Sequence, residues 1–134
     1  MDVTITTIPH AFQRYDTIGD WQYDMDSDHL RISVSQFGNN LYEQAVAFHE
    51  YAEALGCIKA GITTKMVDDF DMSFTGEGEP GDDPRAPYHR QHVVATNIEE
   101  QLIVQMFSLS WGSYDEFFNK FIKENPYGNE AAAQ

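Results

Sequence analysis

The sequence predicts an α+β fold, a small antiparallel sheet packed on one face by three to four helices. Three observations carry that prediction. Segments rich in β-branched or alternating residues are confined to the first 35 positions. Segments with apolar residues at helical spacing fill the remainder. No internal repeat or linker separates the two, so strands and helices are expected to share a core. The chain has 134 residues, 42% of them hydrophobic, enough for one buried core. The expected organisation is a single domain over 1–125 with a loose tail over 126–134.

Val3 to Ile8 is β-branched and reads as a strand that Pro9 stops. Trp21 to Tyr23 and Leu30 to Val34 flank the polar turn Asp24 to Asp28 and read as a hairpin. Its buried face carries Leu30, Ile32 and Val34. Asn40 with Glu43 has the capping-box spacing, and a helix is expected from Leu41 to Leu55 with Gly56 just past its end. Thr63 caps a shorter helix carrying Met66, Val67, Phe70 and Phe74 along one side. Glu77 to Pro87, rich in Gly, Pro and Asp, is a loop, and a long helix runs from His89 to Leu109. Ser113 with Glu116 opens a last helix that buries Phe117, Phe118, Phe121 and Ile122 and ends at Asn125-Pro126.

Lysine and arginine number 8 against 22 aspartate and glutamate, a net charge of −14. Binding to a nucleic-acid backbone needs clustered basic residues and is not expected. No apolar run reaches the roughly 20 residues that span a bilayer. The N-terminus has neither the basic nor the apolar region of a signal peptide. The lone Cys57 suits a reducing compartment, so the expected location is the cytoplasm. The charge leaves open a cationic partner such as a basic cleft on a protein target, a bound metal, or mimicry of DNA charge.

The chemistry concentrates in His49-Glu50-Tyr51-Ala52-Glu53. On a helical wheel, Leu41, Tyr42, Ala45, Val46, Phe48, Ala52 and Leu55 form an apolar arc containing His49 and Glu53, with Glu50 just beyond its edge and Glu43 pointing outward. A buried carboxylate needs a partner. A His and a carboxylate at i and i+4 project ligand atoms from adjacent turns toward one ion. The long helix repeats this arrangement. Val94, Ala95, Ile98, Leu102, Ile103 and Met106 set its arc, His92 and Glu99 lie toward one flank, and His89 precedes His92 by one turn. If the two helices pack together, His49, Glu53, His92 and Glu99 converge. Three such ligands and a water suit a catalytic Zn²⁺. The third ligand is left open among His89, His92 and Glu99. The bland alternative is a hydrogen-bonded His49–Glu53 pair that serves only structure.

The Asp24 to Asp28 run opens like a calcium loop, but His29 and Ser35 occupy the positions that need Gly and Glu, so it reads as a turn. Asp68, Asp69 and Asp71 read as a solvated helix face, with an inward Asp71 as the alternative. Cys57, Trp21 and Trp111 read as packing residues.

The sequence resembles a family of small phage and prophage proteins of unknown function. The likeness is carried by Ile8-Pro9-His10, Gln13-Arg14-Tyr15, Gly19-Asp20-Trp21, Val46 to Glu50 with Glu53, Val67 to Asp71, Gly81 to Pro84, and Pro87 through His92 to Glu99. It implies a phage or prophage origin and little about activity. The segment His49 to Glu53 also resembles the active helix of zincin metallopeptidases, with Glu53 where that pattern has a second His. That likeness implies a zincin-like minimal core, His49 and Glu53 as ligands, Glu50 as general base, and a third ligand at His92 or Glu99. The expected function is therefore a zinc-dependent, metallopeptidase-like hydrolase or a degenerate remnant of one. In it Glu99 would orient His92 or act as a fourth ligand. The alternative expectation is a non-enzymatic acidic phage protein that binds and inhibits a host factor.

Overall fold

A computed structural model describes residues 1–128. Positions 129–134, most of the expected tail, lie outside the described residues. Of its earlier part, Tyr127 packs edge-on against His10 and donates its hydroxyl to the Gln13 carbonyl.

The fold is α+β, with three strands and four α-helices among the described residues. Strands β1 (Asp2–Ile8), β2 (Gly19–Asp24) and β3 (His29–Ser35) form a sheet in the order β1-β3-β2. The sheet is mixed, not antiparallel as expected: β2 pairs antiparallel with β3, and β1 pairs parallel with it, Ile5 opposite Ile32. Alternation tells which face a residue takes, not the direction of the neighbouring strand. Direction is set by the segment 9–18, which carries the chain over the end of β3 so that β1 and β2 flank it. Gln36 N–H donates to the Ile8 carbonyl at 2.7 Å, Ser35 N–H to the Ile18 carbonyl at 2.8 Å, and His10 Nδ1 meets Ser35 Oγ at 2.8 Å. At the hairpin, Asp24 Oδ1 accepts from Asp26 N–H at 2.9 Å and Asp28 takes a φ of +51°, a turn rather than an ion loop.

Helix α1 spans Asn40–Ala60, longer than expected. Asn39 rather than Asn40 caps it, accepting from Tyr42 N–H at 3.1 Å. Glu43 is buried, not solvated, and its carboxylate accepts from Phe37 and Gly38 N–H at 2.9 and 3.2 Å. Gly56 does not end the helix; Gly61, at φ +77°, does. Gly56 instead permits close packing, because a Cβ there would lie 2.9 Å from Gln91 Cγ.

Helix α2 (Thr64–Ser73) is capped by Thr63 as the spacing predicts. Asp68 is not solvated: it shares the Arg14 guanidinium with Asp20, at 2.8–3.0 Å. Helix α3 (His89–Gln101) continues only as a π-turn over Leu102–Met106 before Ser108 breaks it at φ +56°. Helix α4 (Trp111–Glu124) starts three residues earlier than expected, with Ser110 Oγ accepting from Ser113 N–H at 3.2 Å. Its Phe117, Phe118 and Phe121 close around Phe37. Ile122, expected inside, is exposed. Leu30, Ile32 and Val34 of β3 are fully buried with Ala54 and Cys57 of α1. The sheet therefore packs on the α1 face that also carries His49 and Glu53. Among the described residues, no helix is long and apolar enough to cross a membrane.

Candidate metal centre

Helices α1 and α3 run antiparallel. Gly56 lies against Gln91, Glu53 against His92 and His49 against Glu99. Helical spacing places His49 and Glu53 on one face, and the short residues Ala52, Gly56 and Ala95 let the backbones approach. His49, Glu53 and His92 are each no more than 6% exposed.

Their ligand atoms converge. Glu53 Oε2 sits 3.2 Å from His49 Nε2 and 3.0 Å from His92 Nδ1, and all three atoms lie within 4.8 Å of one another. Ligand atoms around a tetrahedral zinc at about 2.0–2.1 Å are about 3.3 Å apart, close to the two spacings measured from Glu53 Oε2. The far atom of each ligand is held as well. His49 Nδ1 donates to Glu99 Oε1 at 2.8 Å, and Tyr114 donates to the other Glu99 oxygen. His92 Nε2 is 3.1 Å from both Asp82 and Glu79. Trp21 Nε1 donates to Glu53 Oε1 at 3.2 Å. Carboxylates that fix the ring orientation in this way are the usual support of histidine ligands.

Glu99 bonds the His49 ring, not His92 as expected, and its carboxylate is not among the three atoms that converge. His89 stands outside the cluster, with Nδ1 on the Gly81 carbonyl at 2.9 Å. The sequence missed the partners of His92, because Glu79 and Asp82 come from a loop that has no periodicity to read. It also took Trp21 for simple packing. Asp71 is turned inward, the alternative reading, and accepts from Tyr15 at 2.8 Å and from Tyr88. This ties the 9–18 segment and α2 to the start of α3.

Each ring nitrogen of both histidines faces a carboxylate, which holds the rings as imidazolium. Burial pushes His49 and His92 down. Hydrogen bonds donated to Glu53 and Glu99 nevertheless hold His49 well above its ordinary value, and those donated to Glu53 and Glu79 hold His92 at about 10. Burial likewise opposes ionisation of Glu53, but the two rings hold its carboxyl down at about 2.

Glu50 differs from the other acids. Its side chain is 12% exposed, its nearest cationic atom is His49 Nε2 at 3.9 Å, and no hydrogen bond engages its carboxylate among the described residues. Burial, aided by the charge of Glu53, raises its carboxyl well above the usual range. It lines a cavity of about 250 Å³ that also touches His49, Glu53 and His92. Gly19 makes room for it, since a Cβ there would lie 2.8 Å from Val46 Cγ1 and 3.0 Å from Glu50 Cγ.

No family model, curated protein or solved structure matches the chain.

Gly81 closes the other side of the cluster. A Cβ there would lie 2.5 Å from His92 Cγ and Nδ1 and 2.9 Å from Tyr88 Cε2. Gly81→Ala must displace the imidazole, with an expected cost of about 1–3 kcal/mol. Urea denaturation should show that loss and a zinc titration should show weakened binding. Wild-type values in both would mean that the ring is free to move.

Proposed function

We propose that the chain binds Zn²⁺ through His49 Nε2, Glu53 Oε2 and His92 Nδ1 and hydrolyses a carbonyl substrate, an amide or an ester, with Glu50 as general base. The single observation that carries this reading is the convergence of three buried ligand atoms, all within 4.8 Å of one another and two of them 3.0–3.2 Å from Glu53 Oε2, beside a cavity lined by an unengaged carboxylate. A bound zinc would supply a water acidified toward pH 7 and a Lewis acid for the carbonyl oxygen. The protein's own residues do the rest. Glu99 and Tyr114 fix the His49 ring, Asp82 and Glu79 fix the His92 ring, and Trp21 occupies one Glu53 oxygen so that only the other is free to bind metal. Glu50 accepts the proton from water and passes it to the leaving group. Its raised affinity for protons brings it toward the operating pH, where a base works best. A phage or prophage origin belongs to the same proposal.

One observation favours a second reading. Every ring nitrogen of the pair already has a carboxylate partner, which also suits a closed ion network that serves only structure. Metal analysis of untagged protein separates the two. The metal reading expects one zinc per chain, lost to a chelator and regained with a rise in melting temperature. Absence of stoichiometric zinc, with no thermal shift on adding it, would overturn it. Glu50→Gln is expected to keep zinc affinity while lowering hydrolysis of a panel of chromogenic amides and esters by about 100-fold or more. Equal activity of the two proteins would remove Glu50 from the chemistry.

A further inference from the structure

The outer side of the α1–α3 pair has no role in the proposed centre, and it gathers five exposed large apolar residues on two neighbouring helices. Leu41, Phe48 and Leu55 recur every seven residues along α1 and are 43–51% exposed. Val94 and Ile98, one turn apart on α3, are 51% and 38% exposed. By helical spacing both sets lie on the solvent side of the seam that Gly56 and Gln91 close. All five belong to the apolar arcs that helical spacing predicts to be inside, and the structure turns them out.

The charge pattern is the second observation. The chain carries 22 acids, yet the three in α1, Glu43, Glu50 and Glu53, all turn inward. In α3, Glu99 turns inward to His49, and Glu100 lies about 120° or more around the helix from Val94 and Ile98. The outer face is thus apolar and free of acid in a molecule of net charge −14. Two copies of such a chain repel wherever acids face one another, and this face is one on which they need not.

We infer that it is a self-association surface, on which a second copy packs α1 antiparallel against α1 about a two-fold axis near Phe48. Seven-residue spacing keeps the stripe on one side over about 21 Å, as paired helices require. An isologous contact brings each patch onto its own image. The antiparallel direction also sets the two Lys59 side chains about 33 Å apart, whereas a parallel pair would bring them together. The inference is independent of the metal reading.

Sedimentation equilibrium of the full chain tests it. A species of twice the 15.3 kDa chain mass is expected at about 100 µM, the range for a small interface. Salt should strengthen it by screening the repulsion of two acidic copies. Phe48→Glu should weaken association at least tenfold, whereas Met25→Glu, the same charge added in the exposed hairpin turn, should not. Phe48→Cys should form a disulfide-linked dimer on mild oxidation, because the two-fold axis brings that position onto itself. A chain that stays monomeric at about 500 µM would overturn the inference. Equal effects of the two glutamate variants would overturn it too, as would a Phe48→Cys chain that does not cross-link. A monomeric chain would leave the face to a different protein.

Discussion

Glu53→Ala is expected to be the most damaging single substitution, costing about 3–5 kcal/mol of folding stability and abolishing zinc binding. Glu53 is 4% exposed and its two oxygens serve three donors: His49 Nε2 at 3.2 Å, His92 Nδ1 at 3.0 Å and Trp21 Nε1 at 3.2 Å. Removing it leaves two buried rings, both held as cations, facing each other at a centroid separation of 4.8 Å with nothing negative between them. Breaking a buried charge cluster by deleting its central member costs far more than the net worth of the cluster, because the remaining charges are stranded. Glu53→Gln retains the shape and an acceptor for Trp21, and is expected to fold at a smaller cost. Its amide is a poor metal ligand, so zinc affinity should still fall by 100-fold or more. Urea denaturation and calorimetric zinc titration of both variants check the two halves of the expectation. A Glu53→Ala chain within about 0.5 kcal/mol of wild type would show that the rings lose their protons at no cost and that the network is loose.

The same cluster explains what could be read from the sequence and what could not. The i,i+4 spacing of His49 and Glu53 fixes their common face as soon as a helix is assumed, so that half of the site was legible. His92 emerged only as one of three alternatives, because the choice depends on the rotation of α3 about its own axis. That rotation was misjudged on both helices for one reason. A helical wheel treats apolar residues as core, whereas Leu41, Phe48, Leu55, Val94 and Ile98 are on the outside. The true inner stripe of α3 runs through His92, Ala95, Glu99 and Ile103, with its polar residues in the middle rather than on a flank. Glu43 misled in the same way, since a carboxylate that caps a loop backbone looks like a solvated one until Phe37 and Gly38 are seen beneath it. The mixed sheet was illegible for a different reason: strand direction lies in the path of residues 9–18, not in the composition of β1.

The pH dependence of stability, with and without zinc, is the second large expected effect. For Glu53 the folded value near 2 lies below the ordinary 4.5, so its contribution is present above pH 4.5 and is lost as pH falls through 2. For His92 the folded value near 10 lies above the ordinary 6.5, so its contribution is present below pH 6.5 and is lost as pH rises through 10. His49 shifts in the same direction as His92. Glu50 is raised by burial, so ionising it above its ordinary value opposes folding and tilts stability further toward low pH. The zinc-free chain should therefore be most stable between about pH 4.5 and 6.5 and should weaken on the alkaline side. Zinc bound as proposed should reverse that slope, because it would take the place of the two inner ring protons. Each displaced proton makes binding more favourable by about 1.4 kcal/mol per pH unit below the folded value, so the melting-temperature rise with zinc should be small at pH 5.5 and large at pH 8.5. Calorimetry in buffers of different ionisation enthalpy should count about two protons released per zinc near pH 7. A zinc response that does not change with pH would place the metal on surface carboxylates, whose protons are already gone. Zinc binding that releases no proton would mean that the rings are neutral and that the network is held by fewer bonds than its geometry provides.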